Sequence, residues 1–453
     1  MFNTRQEYID LLRQLEKEVY PKLKKCWGIN PWAIVRTRVS FYFHRVYTKR
    51  INDSAKKQCE RSVLGGKIKK QDLWMLFKSF CHLILTYPKL KGKLKNKTML
   101  IAFTTHIENG HNKLLEPYQK VLTEKKEEYE VIYLDKMNTA DNELNIFFRR
   151  LSISVLNLLK IVNKINKQQC KNNKRNADLI KDFFQTHTKL DAEYISSVVD
   201  QGIGDNHYYY VYYYYLLKIL LPKKVWFVVY YDYRVMPLIR AAKRLKINTC
   251  EYQHSAISNN HFAYMKWNNI DYYSDSFPET FQVWSEADKE LIERNFSDKK
   301  YKPEITVTGN YYLNQQKIKF KTDKSKGNVL ICLQGIWIPT FIEDAIADSE
   351  NIKWYFRLHP RYPHDKPKLQ KFQERYPHKI EIEKANSLPL FELFGEVSSL
   401  ITFFSTAAIE GREFGLKVII IGAEGYSSYK NYIERGDFYY IENKSDLLKI
   451  IEK

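Results

Sequence analysis

Two successive series of short apolar runs, each run followed by an amphipathic stretch, leave this chain few ways to fold. The first series opens at Thr98 with TMLIAFTT, a strand pattern, followed by the helical LLEPYQKVLTEKKEEY and the strand EVIYLD. After a helix-rich insert at about 140–221 come VWFVVYY, the helix MPLIRAAKRLKI, then NTCEYQH, FQVWS and ITVTGN. The polar, Lys-rich stretch Gln315–Gly327 reads as a linker. A second series starts beyond it, with strands in NVLICLQG, KWYFRLHP, KIEIEK, SLITFFS and KVIIIG and helices in PLFELFGEV and TAAIEGREFG. Strand–helix–strand alternation predicts parallel sheets with helices on both faces. Ligands of such sheets sit beyond the carboxyl ends of the strands. The expected organisation is a basic helical extension over residues 1–97, a Rossmann-like domain over 98–320 and a second over 321–453, with a cleft between the two domains.

Composition agrees with this plan. The chain has 453 residues, 44% of them hydrophobic, enough for two cores and incompatible with general disorder. A formal net charge of +21 favours polyanionic partners, whether nucleic acid, an anionic membrane face or phosphorylated substrates. Six cysteines stand singly with no metal-type spacing, as in a reduced, cytoplasmic protein. The N-terminus lacks an apolar signal core, and no apolar run reaches the length of a spanning helix. Tyr208–Leu221 is too short and too polar to span and reads as a buried helix. WGINPWAIVRTRVSFYFHRVYTKR interleaves aromatic and basic residues, so residues 20–60 are a candidate contact with the inner membrane face. An ordinary basic helix packed on the next domain explains the same residues.

Chemistry concentrates at the strand ends of the second series. His359 and Pro360 end one strand between Arg357 and Arg361, an arrangement that can meet a phosphate through charge-assisted hydrogen bonds or form a structural turn. Ser405 and Thr406 end another strand where small residues open a helix, so they serve as a cap, as phosphate ligands, or both. Glu410 lies one turn further, within reach of a ribose diol. Gln334 and Gly335 follow the first strand of the series, where glycine permits close backbone approach to a ligand.

In the first series, His254 follows a strand in EYQHS and is a candidate base. Asp232 and His106, at two other strand ends, are the alternatives. Glu108, His111 and Arg234 are candidate acceptor contacts, Arg234 for an anionic group.

Taken in order, Gly309-Asn310, L-x-G after a strand, R-x-H-P-R and S-T-A-A-x-E-x-x-x-x-G resemble bacterial GT-B glycosyltransferases of capsule and lipopolysaccharide synthesis. These include sialyl-, polysialyl- and Kdo-transferases and, more distantly, the glycerophosphate transferases of teichoic acid synthesis. The resemblance spans about residues 98–440 and implies a GT-B fold, two Rossmann-like domains facing a cleft. It assigns the donor phosphate to His359, Ser405 and Thr406 and a ribose to Glu410, and places Gly309 and Asn310 in the donor site. The segment Gln253-His254 resembles a Gln-His-Gly element whose histidine acts as base, with Ser255 standing where glycine is usual. The D/E-D/E-G base motif of several sialyltransferase families is absent, as is any Asp-x-Asp triplet. The implied activity is metal-independent, inverting transfer from a CMP- or UDP-linked sugar to a glycan or lipid-linked acceptor, without cofactor. A nucleotide-sugar 2-epimerase on the same fold and a non-enzymatic polyanion-binding protein are the alternatives.

Overall fold

The computed structural model of the chain describes residues 5–28, 31–47, 74, 77, 81, 88, 90–108, 110–134, 167–267, 276–296, 301–320, 327–360, 362 and 365–452. They form two compact units. One comprises Met1–His254, Met265–Val283 and Ile292–Val307; the other comprises Ser255–Tyr264, Trp284–Leu291 and Thr308–Lys453. Each unit is built on a six-stranded parallel sheet with helices, giving the two Rossmann-like halves expected of a GT-B chain.

In the first unit, β1 (Thr98–Ala102) is followed by a small antiparallel pair, β2 (Ile107–Glu108) and β3 (His111–Asn112). Then come β4 (Tyr129–Tyr133), β5 (Lys224–Phe227), β6 (Asn248–Tyr252), β7 (Thr280–Val283) and β8 (Glu304–Val307). The sheet order is β4-β1-β5-β6-β7-β8. Every residue of β1 is buried, as an inner parallel strand covered on both faces requires. The strand stops at Ala102 because Thr104–His106 turn into a short 3-10 helix.

Two N-terminal helices belong to this unit, α1 (Arg5–Val19) and α2 (Pro31–Tyr47). After α3 (Leu115–Glu124) and α4 (Lys167–His187), the Tyr-rich stretch lies in one helix of 29 residues, α5 (Ala192–Leu220). Asp191 caps its first turn by accepting from the Tyr194 N–H at 3.0 Å, and Leu221, left-handed at φ 56°, ends it. Helix α2 packs on α5, with Trp32, Val35, Val39 and Phe43 buried alongside Ala33, Ile34, Thr37 and Ser40. The described part of α2 is thus buried around most of its circumference, as an ordinary basic helix packed on the next domain would be. Residues 29–30 and 48–60 of the candidate membrane contact, and 140–166 of the helical insert, lie outside the described residues. Among the described residues no helix is long and apolar enough to cross a membrane.

The first unit also holds α6 (Val235–Arg244) and the end of α7 (Glu286–Phe296), whose residues Glu286–Leu291 belong to the second unit. The second unit contributes α8 (Tyr311–Lys319), β9 (Val329–Cys332), α9 (Thr340–Asp348), β10 (Trp354–Arg357), α10 (Lys366–Arg375) and β11 (Ile380–Glu381). Beyond these come α11 (Glu383–Ser387), α12 (Leu390–Leu393), β12 (Ser399–Thr402), α13 (Ala407–Glu413), β13 (Lys417–Ile421), α14 (Ala423–Glu434), β14 (Tyr439–Ile441) and α15 (Lys444–Ile451). The sheet order is β11-β10-β9-β12-β13-β14, a doubly wound order whose direction reverses between β9 and β12. The strand expected in KIEIEK is only two residues long. Beyond it the Asn386 side chain takes the place of a strand, donating to Phe356 O at 2.9 Å and accepting from the Leu358 N–H at 2.9 Å.

Helix α14 lies hard against the end of β12. A Cβ built on Gly425 would meet the carbonyl oxygen of Phe403 and stand 2.8 Å from Ile420 Cγ2. Neither the backbone nor the packed Ile420 can retreat cheaply, so Gly425→Ala is expected to destabilise the second unit by about 1–3 kcal/mol. Thermal unfolding checks this: a variant melting with the wild type would show that α14 shifts freely.

Candidate functional site

At the reversal of the second sheet the carboxyl ends of β10, β9 and β12 lie side by side, with Arg357 and Thr402 both in register with Cys332. The loops that leave these ends carry His359-Pro360, Gln334-Gly335 and Ser405-Thr406. Residues up to 70 positions apart are thereby neighbours, at the crevice where doubly wound sheets receive ligands.

Each loop is held by side chains expected to meet the ligand themselves. Gln334 Oε1 accepts from the Phe404 N–H at 2.9 Å and from Thr402 Oγ1 at 3.4 Å, tying the β9 loop to the β12 loop across the reversal. Gly335, at φ 77°, has no room for a side chain, since a Cβ would stand 2.7 Å from the Tyr362 ring. Arg357 Nη1 donates to Ala385 O and Leu388 O, both at 2.8 Å, so this edge of the guanidinium anchors α11 under the β10 loop. His359 packs its ring 5.4 Å from that of Tyr362 and accepts the Tyr362 N–H at its carbonyl, 2.8 Å away. Pro360 is exposed; Arg361 lies outside the described residues.

Ser405, rather than Thr406, supplies the local cap, its Oγ accepting from the Ala407 N–H at 3.3 Å. Tyr429 of α14 donates to Ser405 O at 2.6 Å and fixes the loop from the other side. Thr406 makes no side-chain cap and is partly exposed, as is Glu410. Burial pushes the Cys332 thiol up to about 12, the Arg357 guanidinium opposing and Glu410 adding to the rise, so both charges act on the same strand end. Gly309, at φ 72°, and Asn310 stand apart from this set: Asn310 Oδ1 caps α8 through the N–H groups of Tyr312 and Leu313, at 3.0 and 3.1 Å. Sequence reasoning missed Tyr429, Gly425 and Asn386. The two glycines of GAEGYSSY after β13 were the available signal for the first two; a single asparagine in a helix gave none.

The first sheet reverses between β1 and β5. His106 follows β1, the run Tyr231–Arg234 follows β5, and His254 follows β6. The rings of His106 and His254 are 6.3 Å apart, and His254 Nε2 lies 3.1 Å from Tyr231 Oη. Burial, with His106 adding to it, lowers His254 to about 3. The ring is therefore neutral but a feeble proton acceptor, which departs from the near-neutral base expected. Asp232 is paired with Arg234: its two carboxylate oxygens take the Nε and Nη2 protons of Arg234 at 2.9 and 3.0 Å. Arg234 also donates to Leu134 O at 3.2 Å and lies over the Phe103 ring. His111 is exposed, with Nδ1 3.0 Å from Glu116 Oε2. Glu108 pairs with His111 in the β2–β3 ribbon; its side chain is outside the described residues.

No protein-family model matches the chain, and no curated protein matches it. Among solved structures it is similar to the UDP-GlcNAc 2-epimerase of Methanocaldococcus jannaschii in complex with UDP-GlcNAc and UDP, at 14% identity and TM-score 0.41, over 79% of this chain and 92% of that one. The UDP-GlcNAc 2-epimerase of Neisseria meningitidis gives 13% identity and TM-score 0.44 over 79% and 91%. MurG of Acinetobacter baumannii gives 10% and 0.41 over 78% and 89%. At these identities and scores the likenesses assign neither substrate nor reaction.

His254 and His207 make the first unit sensitive to acid. Burial, with Arg240 adding to it, lowers His207 to about 4, against an ordinary 6.5, while its ring stacks 4.3 Å from Trp27. The unfolded chain takes up these protons first, so stability is lost as the pH falls from about 6.5 towards 4. His207→Phe, which keeps the stacking, is expected to flatten the dependence of the melting temperature on pH between about 7 and 5. Parallel pH profiles for variant and wild type would contradict this.

Proposed function

We propose that the chain is a glycosyltransferase that moves a sugar from a nucleotide-activated donor to a glycan or lipid-linked acceptor of a surface polysaccharide. The observation that carries this reading is the convergence of Gln334-Gly335, His359-Pro360 and Ser405-Thr406 on three adjacent strand ends at the reversal of the second sheet. Separately each motif has a plain structural explanation. Together they bring an imidazole and two hydroxyls to one edge, with the Glu410 carboxylate one turn into the helix that follows.

In this reading residues 321–453 bind the donor, a CMP- or UDP-linked sugar. His359, Ser405 and Thr406 bind the phosphate, and Glu410 accepts from the ribose hydroxyls. Gln334 and Arg357 act as positioning residues, since Gln334 accepts from the Phe404 N–H and Thr402 Oγ1 and Arg357 donates to two loop carbonyls. Residues 98–320 bind the acceptor at the reversal of the first sheet. Of the three candidate bases, Asp232 is tied to Arg234 and burial makes His254 a weak proton acceptor. In this reading His106 is the base, and its neighbour His254, being neutral, adds no second positive charge when His106 takes a proton. The acceptor oxygen attacks the anomeric carbon, its proton passes to His106, and the nucleotide phosphate leaves with the electron pair of the broken glycosidic bond. His359 and the two hydroxyls stabilise the charge on the departing phosphate.

A thermal-shift panel of UDP, CMP, GDP, dTDP and CDP tests the donor site. At about 100 times Kd a bound nucleotide adds about 2.7 kcal/mol of stability, a readily measured rise in melting temperature. His359→Ala is expected to weaken nucleotide binding about tenfold to a hundredfold through loss of a charge-assisted contact. Full affinity in that variant would remove the donor assignment. Incubation with donor alone separates the rival 2-epimerase, which yields epimerised or free sugar without an acceptor.

A further inference from the structure

The first sheet's reversal is bordered by an element that neither the motifs nor the reaction scheme uses. Arg38 and Phe41 lie three residues apart on α2 and so share one helix face. The Phe41 ring is 6.2 Å from that of Tyr231, the same tyrosine whose hydroxyl meets His254. Arg38 lies over the Tyr233 ring at 4.8 Å and pairs with Asp205 of α5 at 3.1 Å. Arg234 lies 5.0 Å from the centre of the same ring. Helix α2 thus meets the loop after β5 at Tyr231 and at Tyr233, the first of which reaches His254.

Two features of this rim fix the chemistry it can receive. Among the described residues, Phe41 and Tyr233 are large aromatic side chains left 41% exposed, although interior aromatic positions of this unit are generally covered. Among the described residues the charges beside them cancel in pairs, Arg38 with Asp205 and Arg234 with Asp232, and His254 is neutral. A phosphate or carboxylate group would need a cation not already committed to a carboxylate. A lipid chain would gain nothing from the polar edges of the ion pairs. A neutral sugar ring matches both features, with apolar C–H faces for the exposed rings and hydroxyls for the carboxylate, guanidinium and imidazole edges.

We infer that α2 forms one wall of the acceptor subsite, and that Phe41 and Tyr233 are specificity-determining residues that stack on a neutral sugar of the acceptor, with Arg38 holding Tyr233 in place. The inference rests on the glycosyltransferase reading for the word acceptor, but its binding chemistry can be measured without turnover.

Saturation-transfer NMR on the full chain tests it, with maltotriose, diacetylchitobiose and galactobiose as neutral probes, sialyllactose as the acidic one, and UDP and CMP read separately for the donor site. At least one neutral oligosaccharide is expected to bind. Phe41→Ala and Tyr233→Ala are each expected to weaken it about fivefold or more, the loss of one stacking contact, with nucleotide binding unchanged. Tyr215→Ala, at a 62% exposed ring elsewhere on α5, is expected to change nothing. The inference is overturned if none of the neutral probes binds, if only sialyllactose binds, or if both rim variants keep full affinity. Neutral-sugar binding that depends on Phe41, in a chain that binds neither UDP nor CMP, would uphold the subsite and remove the donor reading instead.

Discussion

The parallel pairing of β9 with β12 is the constraint on which the second unit's chemistry depends. It joins segments far apart in the chain, aligns Cys332 with Thr402, and sends the two following loops away in opposite directions. Because all six strands run the same way, every strand-end motif emerges on one edge of the sheet. An antiparallel partner at either position would have carried Ser405 or Gln334 to the opposite edge. The Gln334 side chain then closes the gap that the reversal opens, by accepting from the Phe404 N–H.

Much of the architecture was legible because buried parallel strands leave a coarse trace: TMLIA, VLIC and KVIII are apolar without alternation, and each became an inner strand. The reading slipped at the edge of the second sheet. KIEIEK alternates like a strand, but the Asn386 amide replaces the strand's hydrogen bonds and lets a helix begin at Glu383. The aromatic and basic pattern around α2 suits a lipid surface as well as a protein core, and the packing of its described part on α5 comes from elements far away in the chain.

The candidate site was legible as a set of positions and much less so as a set of roles. His359, Ser405 and Gln334 do reach one edge, yet Gln334, Arg357 and Asn310 turn their polar atoms to backbone and act on the shape of the loops. Sequence order cannot distinguish a side chain that meets a ligand from one that positions its neighbour, since both demand the same residue types. The first unit adds a second obstacle. Asp232 and Arg234 were each read singly, but at two residues' separation on a turn they satisfy each other. His254 drew attention by its place after a strand, while the burial that holds it neutral is set by the elements packed around it.

The loop around Ser405 is fastened at three points: Gln334 at Phe404, Tyr429 at Ser405, and the side-chain-free approach of Gly425 to Phe403. A loop so fixed has lost its conformational freedom during folding, before any ligand arrives. Binding there carries little further ordering entropy, so a ligand's contacts translate more fully into affinity, and encounter need not wait for the loop to assemble. Selectivity at such an edge comes from rejecting shapes that do not fit, more than from closing around those that do.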